Sequence, residues 1–176
     1  MKIFYAFYLH SVKERDLNSI INRSFKKLGF SHKIADPMGG SGIQNPFDGF
    51  SVFNGLPWYW ESKLIKNGYH SFNFKSIEDH QFSNLSKIST DLKDKCYTLI
   101  ILGIYLKYKY FEVMMFDVYY IMNLISKGKN SLLQKELLKI RDKGYVSQIQ
   151  NIDGEKVLTN LENLESRIIF KDYFID

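Results

Sequence analysis

Apolar positions along this chain recur with two periods, 3.6 and 2, and the switches between them mark out its elements. From Val12 to Leu28 the residues Leu17, Ile20, Ile21, Ser24, Phe25 and Leu28 share one stripe, which predicts an amphipathic helix ended by Gly29. Two strand-like runs, Phe47–Phe53 and Leu56–Leu64, flank Asn54-Gly55, the dipeptide that best tolerates positive φ at both centres of a type I′ turn. Together they predict a hairpin. Pro57 cannot donate a ladder hydrogen bond, so it implies a bulge or a non-bonded position near the turn. Lys66-Asn67-Gly68 reads as a turn and Ser71–Phe74 as an extended lead-in to a second helix. Ser76 would cap that helix with Asp79 at the capping-box third position, and Ile77, Gln81, Leu85, Ile88 and Leu92 lie on a common stripe. Cys96–Leu106 and Tyr110–Phe116, rich in β-branched and aromatic residues, predict strands. Asp117–Ser126, Ser131–Arg141 and Thr159–Phe170 predict helices, and Asp36-Pro37 with Gly39-Gly40-Ser41-Gly42 makes His32–Asn45 a flexible loop. The expected architecture is α/β: a central mixed sheet whose hairpin is flanked by helices.

The hairpin carries the chemistry. A two-residue turn at Asn54-Gly55 pairs Phe53 with Leu56, so partners sum to 109 and Asp48 stands opposite Glu61. Such cross-strand partners have Cβ atoms about 4.5–5.5 Å apart on one face. Lys63 lies two residues beyond Glu61 and points to the same face. Like charges paired this way are destabilising, and a positive group between them is the natural remedy. Hard carboxylate oxygens suit Mg²⁺, with Mn²⁺ a plausible substitute. The lysine could then orient or deprotonate a water, or balance charge developing on a phosphate. Trp58, Trp60, Ser62 and Leu64 take the opposite face, where the tryptophans are expected in the core rather than as base-stacking platforms. Gln81 is a polar residue on an apolar helix stripe. An unsatisfied buried amide costs about 1–3 kcal/mol, so it requires a partner.

Composition bounds the partners. The 176 residues predict one domain over 1–176. Lysine and arginine total 24 against 19 acids, a net charge of +5 that is compatible with a polyanion. The basic, aromatic stretch Tyr105–Tyr110 and the turn Lys127-Gly128-Lys129-Asn130 are candidate phosphate contacts; a solvated hairpin tip accounts for the first equally well. The single Cys96 excludes an intrachain disulfide, fits a reducing compartment, and is expected as a buried thiol. His10, His32, His70 and His80 show no zinc spacing, and the glycine-rich loop lacks the Gly-Lys-Ser/Thr ending of a phosphate-binding loop. The N-terminal apolar run is short and aromatic with no small-residue cleavage site, and Tyr97–Leu106 is too short to span a bilayer. A cytoplasmic protein is expected.

The Asp48…Glu61-Ser62-Lys63 arrangement resembles the PD-(D/E)xK nuclease superfamily. Its surroundings, Phe47-Asp48-Gly49-Phe50-Ser51-Val52-Phe53-Asn54-Gly55, Trp60-Glu61-Ser62-Lys63, Ser71-Phe72-Asn73-Phe74 and Glu78-Asp79-His80-Gln81, resemble the core of the RecU-type Holliday-junction resolvases. Glu14-Arg15-Asp16-Leu17-Asn18 is similar to the opening of that family's first helix, whose glutamate leans toward the metal site. The resemblance implies a restriction-endonuclease-like sheet and a Mg²⁺-dependent endonuclease that resolves branched DNA as a homodimer with two sites. It implies that Asp48 and Glu61 hold the metal, that Lys63 and Gln81 position the attacking water, and that Glu14 is an outer ligand. Where the family carries a projecting stalk, this chain has the short glycine-rich interval Asp36–Asn45. A restriction or repair nuclease would keep the triad without the junction preference. A non-catalytic DNA-binding accessory protein would carry the same carboxylates merely as decoration of an exposed hairpin.

Overall fold

The structure is a computed structural model and describes residues 13–34, 45–66, 68–106 and 111–170. The N-terminal aromatic segment, most of the glycine-rich loop, and Asn67, Lys107, Tyr108, Lys109 and Tyr110 lie outside the described residues.

Strand β5 (Tyr97–Tyr105) is buried without a break from Thr98 to Ile104, which requires cover on both faces. On one side it pairs in parallel with β3 (Leu56–Ile65), and on the other antiparallel with β6 (Phe111–Asp117). From β3 the sheet continues antiparallel through β2 (Gly49–Phe53) to the edge strand β1 (Phe30–Lys33). Beyond β6 come β8 (Ser147–Ile152) and β9 (Glu155–Leu158), while β10 (Ile168–Ile169) pairs in parallel with the end of β6. The result is an α/β arrangement built on a mixed, curled sheet. A separate two-stranded ribbon joins β4 (Phe72–Asn73) to β7 (Ser131–Leu132).

Helix α1 (Glu14–Leu28) covers one face. Its stripe of Leu17, Ile20, Ile21 and Phe25 meets Trp58, Trp60, Leu99, Ile101, Val113 and Met115. Both tryptophans are fully buried, as expected. The other face packs under α2 (Asp79–Leu92), α3 (Val118–Ser126) and α4 (Gln134–Asp142), around Leu85, Ile100, Leu102, Met114, Phe116, Tyr120 and Leu137. Among the described residues no helix is long and apolar enough to cross a membrane.

The turn forms as expected, with φ 52° at Asn54 and 75° at Gly55. No bulge is needed at Pro57. It pairs with Val52 in unbroken register, and β5 begins only opposite Trp58, so the missing N–H faces no ladder partner. Three expectations are corrected. Ser76 does not cap α2: it closes a 3-10 turn and donates to Asn73 O, and the helix starts at Asp79 after Glu78. Ser131 and Leu132 form β7, so α4 starts only at Gln134. In the turn before that helix the Lys129 ammonium is engaged by Glu136, which also accepts from Leu133 N. Thr159–Phe170 is no helix but two 3-10 turns followed by β10, because pairing with β6 takes Ile168 and Ile169.

Candidate metal centre

Asp48 sits one residue ahead of β2, and three backbone contacts fix it there. Its N–H donates to Trp60 O at 3.0 Å, its carbonyl accepts from Ile34 N at 2.9 Å, and Ser62 N donates to its Oδ2 at 2.9 Å. The ladder ends at Gly49–Trp60. Asp48 N still donates to Trp60 O, so the chain slips by one residue there; the expected Asp48–Glu61 pair is not a ladder pair, and the Asp48 carboxylate turns instead to Ser62. Gly49 makes this closeness possible. The Trp60 ring lies directly over it, and a Cβ would fall 2.0 Å from a ring carbon.

Ser62 Oγ is 2.9 Å from the same Oδ2 and also contacts the side-chain amide of Asn18. A hydroxyl has one proton and a carboxylate only accepts, so the set closes when Asn18 turns its NH₂ toward Ser62 Oγ. Asn18 and Ser62, both buried, thus hold one oxygen of Asp48 in place. Neither was singled out as a site residue. Asn18 is one helical turn beyond Glu14, a polar residue beside an apolar stripe, and Ser62 separates Glu61 from Lys63; those were the available signals.

Glu61 is fully buried, and neither of its carboxylate oxygens has an aligned hydrogen-bond donor. Lys63 Nζ approaches Glu61 Oε1 to 2.7 Å as an ion pair and lies 3.5 Å from Glu14 Oε1. Glu14 arrives from the first turn of α1, and one carboxylate oxygen each from Glu14, Asp48 and Glu61 lie within 4.8 Å of one another. Three carboxylates thus surround one ammonium. Burial, then the neighbouring Asp48, push Glu61 up to about 8 against the pull of Lys63. Burial also raises Glu14, partly offset by Lys63. Burial opposes the charge of Lys63, but Glu61, Glu14 and Asp48 outweigh it and hold the ammonium above the ordinary lysine range.

Hence four of the five expected site residues, Glu14, Asp48, Glu61 and Lys63, come together. Gln81 is buried on the side of α2 that carries Leu85, and its Oε1 lacks a partner, but none of the cluster's hydrogen bonds or ion pairs includes it. His80 is half-buried, with Nε2 2.9 Å from Asn45 O, and so ties the start of α2 to the segment leading into Asp48. A cleft of about 810 Å³ lined by Glu112, Arg141, Gln148, Gln150 and Arg167 shares no residue with the cluster.

The donor set fits a hard divalent cation: three convergent carboxylates, one of them buried with an oxygen, Glu61 Oε2, that no group satisfies. No family model matches the chain, and no curated protein matches it.

Proposed function

We propose that this chain is a Mg²⁺-dependent endodeoxyribonuclease of the RecU-like PD-(D/E)xK kind, with a restriction-endonuclease-like sheet, acting on branched DNA as a homodimer. The observation that carries the reading is the convergence of Glu14, Asp48 and Glu61 around Lys63, with Glu61 buried, its Oε1 paired to Lys63 and its Oε2 without a partner. A merely decorative pair of acids would stand in water, where repulsion is screened.

Asp48 and Glu61 would hold the ion, with Glu14 completing an oxygen-only set. A bound divalent cation supplies Lewis acidity toward a phosphoryl oxygen and lowers the pKa of a water. The chain's own residues do the rest. Ser62 and Asn18 fix the orientation of Asp48. Lys63, held charged by three carboxylates, offers an ammonium to the attacking water or to the phosphate charge that grows in the transition state. Gln81 enters this scheme only if substrate or ion draws its unpartnered Oε1 toward the cluster.

The test is cleavage of a labelled mobile four-way junction beside matched linear duplex, in Mg²⁺ or in EDTA. Cuts that require Mg²⁺ and favour the junction support the full reading. Mg²⁺-dependent cuts without preference retain the nuclease and remove the junction specificity. No cleavage of either DNA contradicts the reading.

A further inference from the structure

We infer that the pocket between the end of α2 and the start of α3 is a binding site for an organic ammonium ion, with Asp117 as its counter-charge. The pocket shares no residue with the carboxylate cluster, so the inference stands apart from the nuclease reading.

Asp117 ends β6 and caps α3, its Oδ1 accepting from Tyr119 N at 2.8 Å. Capping needs an oxygen rather than a charge, and asparagine or serine would serve there as well. The charge is costly where it stands. Asp117 is only 8% exposed, and among the described residues no lysine, arginine or histidine pairs with it. Its other oxygen accepts from none of the described residues and, not being sealed off, opens on a pocket of about 470 Å³. Burial lifts the carboxyl to about 6, opposed by the Tyr119 N–H. Buried charges are as a rule paired, and this one lacks its partner.

The walls suit a cation carried on a carbon stem. Tyr97, Tyr119 and Phe170 line the pocket and supply apolar surface for such a stem. Tyr97 and Phe170 are 6.2 Å apart between ring centroids, and the Tyr119 hydroxyl donates to Ser89 O at 3.2 Å, which fixes that wall to α2. The Cys96 thiol, raised by burial first and by Asp117 second, adds no charge. Lys93 and Asp94, the other charged side chains at the pocket, are both exposed and offset each other. The volume is that of a small-molecule site. A divalent metal fits less well, because it needs several oxygen ligands, and among the described residues only Glu14, Asp48 and Glu61 bring three ligating side chains together.

The experiment titrates cadaverine, its diol analogue and a capped lysine into the full-length chain by calorimetry, in EDTA. Saturable binding of an amine and none of the diol is expected. Tighter binding of cadaverine would identify the ligand as a free polyamine, and tighter binding of the capped lysine as a lysyl side chain of a partner protein; either supports the site. Asp117→Asn keeps the cap and removes the charge, so it should weaken the amine about ten- to a hundredfold without lowering the melting temperature. Wild-type affinity should also fall as pH drops through about 6, where Asp117 takes up its proton, and this dependence should vanish in Asp117→Asn. Equal binding of amine and diol, unchanged affinity in Asp117→Asn, or no saturable binding of either amine overturns the site. Amine binding that emerges only in Lys171→Ala would assign the counter-ion to the lysine that follows Phe170 in this chain and equally overturn it.

Discussion

Glu61 is where burial and charge conflict most. Its carboxyl is pushed from an ordinary 4.5 up to about 8 by burial first and by Asp48 second. In the metal-free protein the folded chain then holds a proton that the unfolded chain releases. That contribution to stability is complete below the ordinary value and is lost as pH rises through about 8. Metal-free melting temperatures should therefore fall as pH climbs across this window, and Glu61→Gln should flatten the fall. An equal fall in Glu61→Gln would assign it to other groups. Cation binding has the opposite sense, because the ion must displace the shared proton. Divalent affinity should rise with pH and level off above about 8, and binding at neutral pH should release protons, measurable by calorimetry in buffers of different ionisation enthalpy. Ser62 acts one step back. Removing a group that orients a metal ligand typically costs about 10–100-fold in affinity, so Ser62→Ala should weaken the cation by that much with little change in fold. Unchanged affinity in this variant would reduce Ser62 to a packing residue.

Among the elements, the hairpin decides the site, and Gly49 decides the hairpin. A methyl there would meet the Trp60 ring at 2.0 Å, and that ring is pinned between β2 and α1 through its contacts with Phe25 and Ser51. Gly49→Ala should cost about 1–3 kcal/mol, the usual penalty of overpacking, and displace Asp48 with it. Urea unfolding measures the first effect and cation affinity the second; a variant as stable as wild type would show that Trp60 can move freely. This hairpin was legible in the sequence because Asn54-Gly55 fixes the turn, and the turn fixes every pair out to Gly49–Trp60. The one-residue slip that turns Asp48 toward Ser62 was not, because it depends on the buried Ser62 and Asn18. The first two helices and the strands β5 and β6 were legible from their apolar periods. The chain after Leu132 was less so. Asp153-Gly154 has the same positive φ pair as Asn54-Gly55, at 53° and 82°, yet it turns between short runs rich in polar residues, so β8 and β9 carried little strand signal. Leu161 to Ile169 has helical apolar spacing, but the open edge at the end of β6 captures Ile168 and Ile169. Periodicity describes a segment in isolation, and an available sheet edge outweighs it.

For the molecule as a whole, a net charge of +5 supports binding to DNA without ensuring it. If the partner is duplex or branched DNA, the logarithm of affinity should fall against the logarithm of salt with a slope of about −0.9 per phosphate neutralised. A flat dependence would be incompatible with a phosphate-tracking surface. Lys129→Ala should alter that slope little, since its ammonium serves Glu136, and should instead loosen the start of α4, seen as a lower melting temperature. Whether two such sites act together depends on a dimer, and Lys107 and Lys109 lie outside the described residues. All of this presupposes that the acidic cluster is a metal centre. The most direct test is a calorimetric titration of Mn²⁺ into wild type and Asp48→Asn at neutral pH. Saturable binding by the wild-type protein and its loss in a still-folded Asp48→Asn is the expected result. Absence of saturable binding by the wild type, or unchanged affinity in Asp48→Asn, would contradict it.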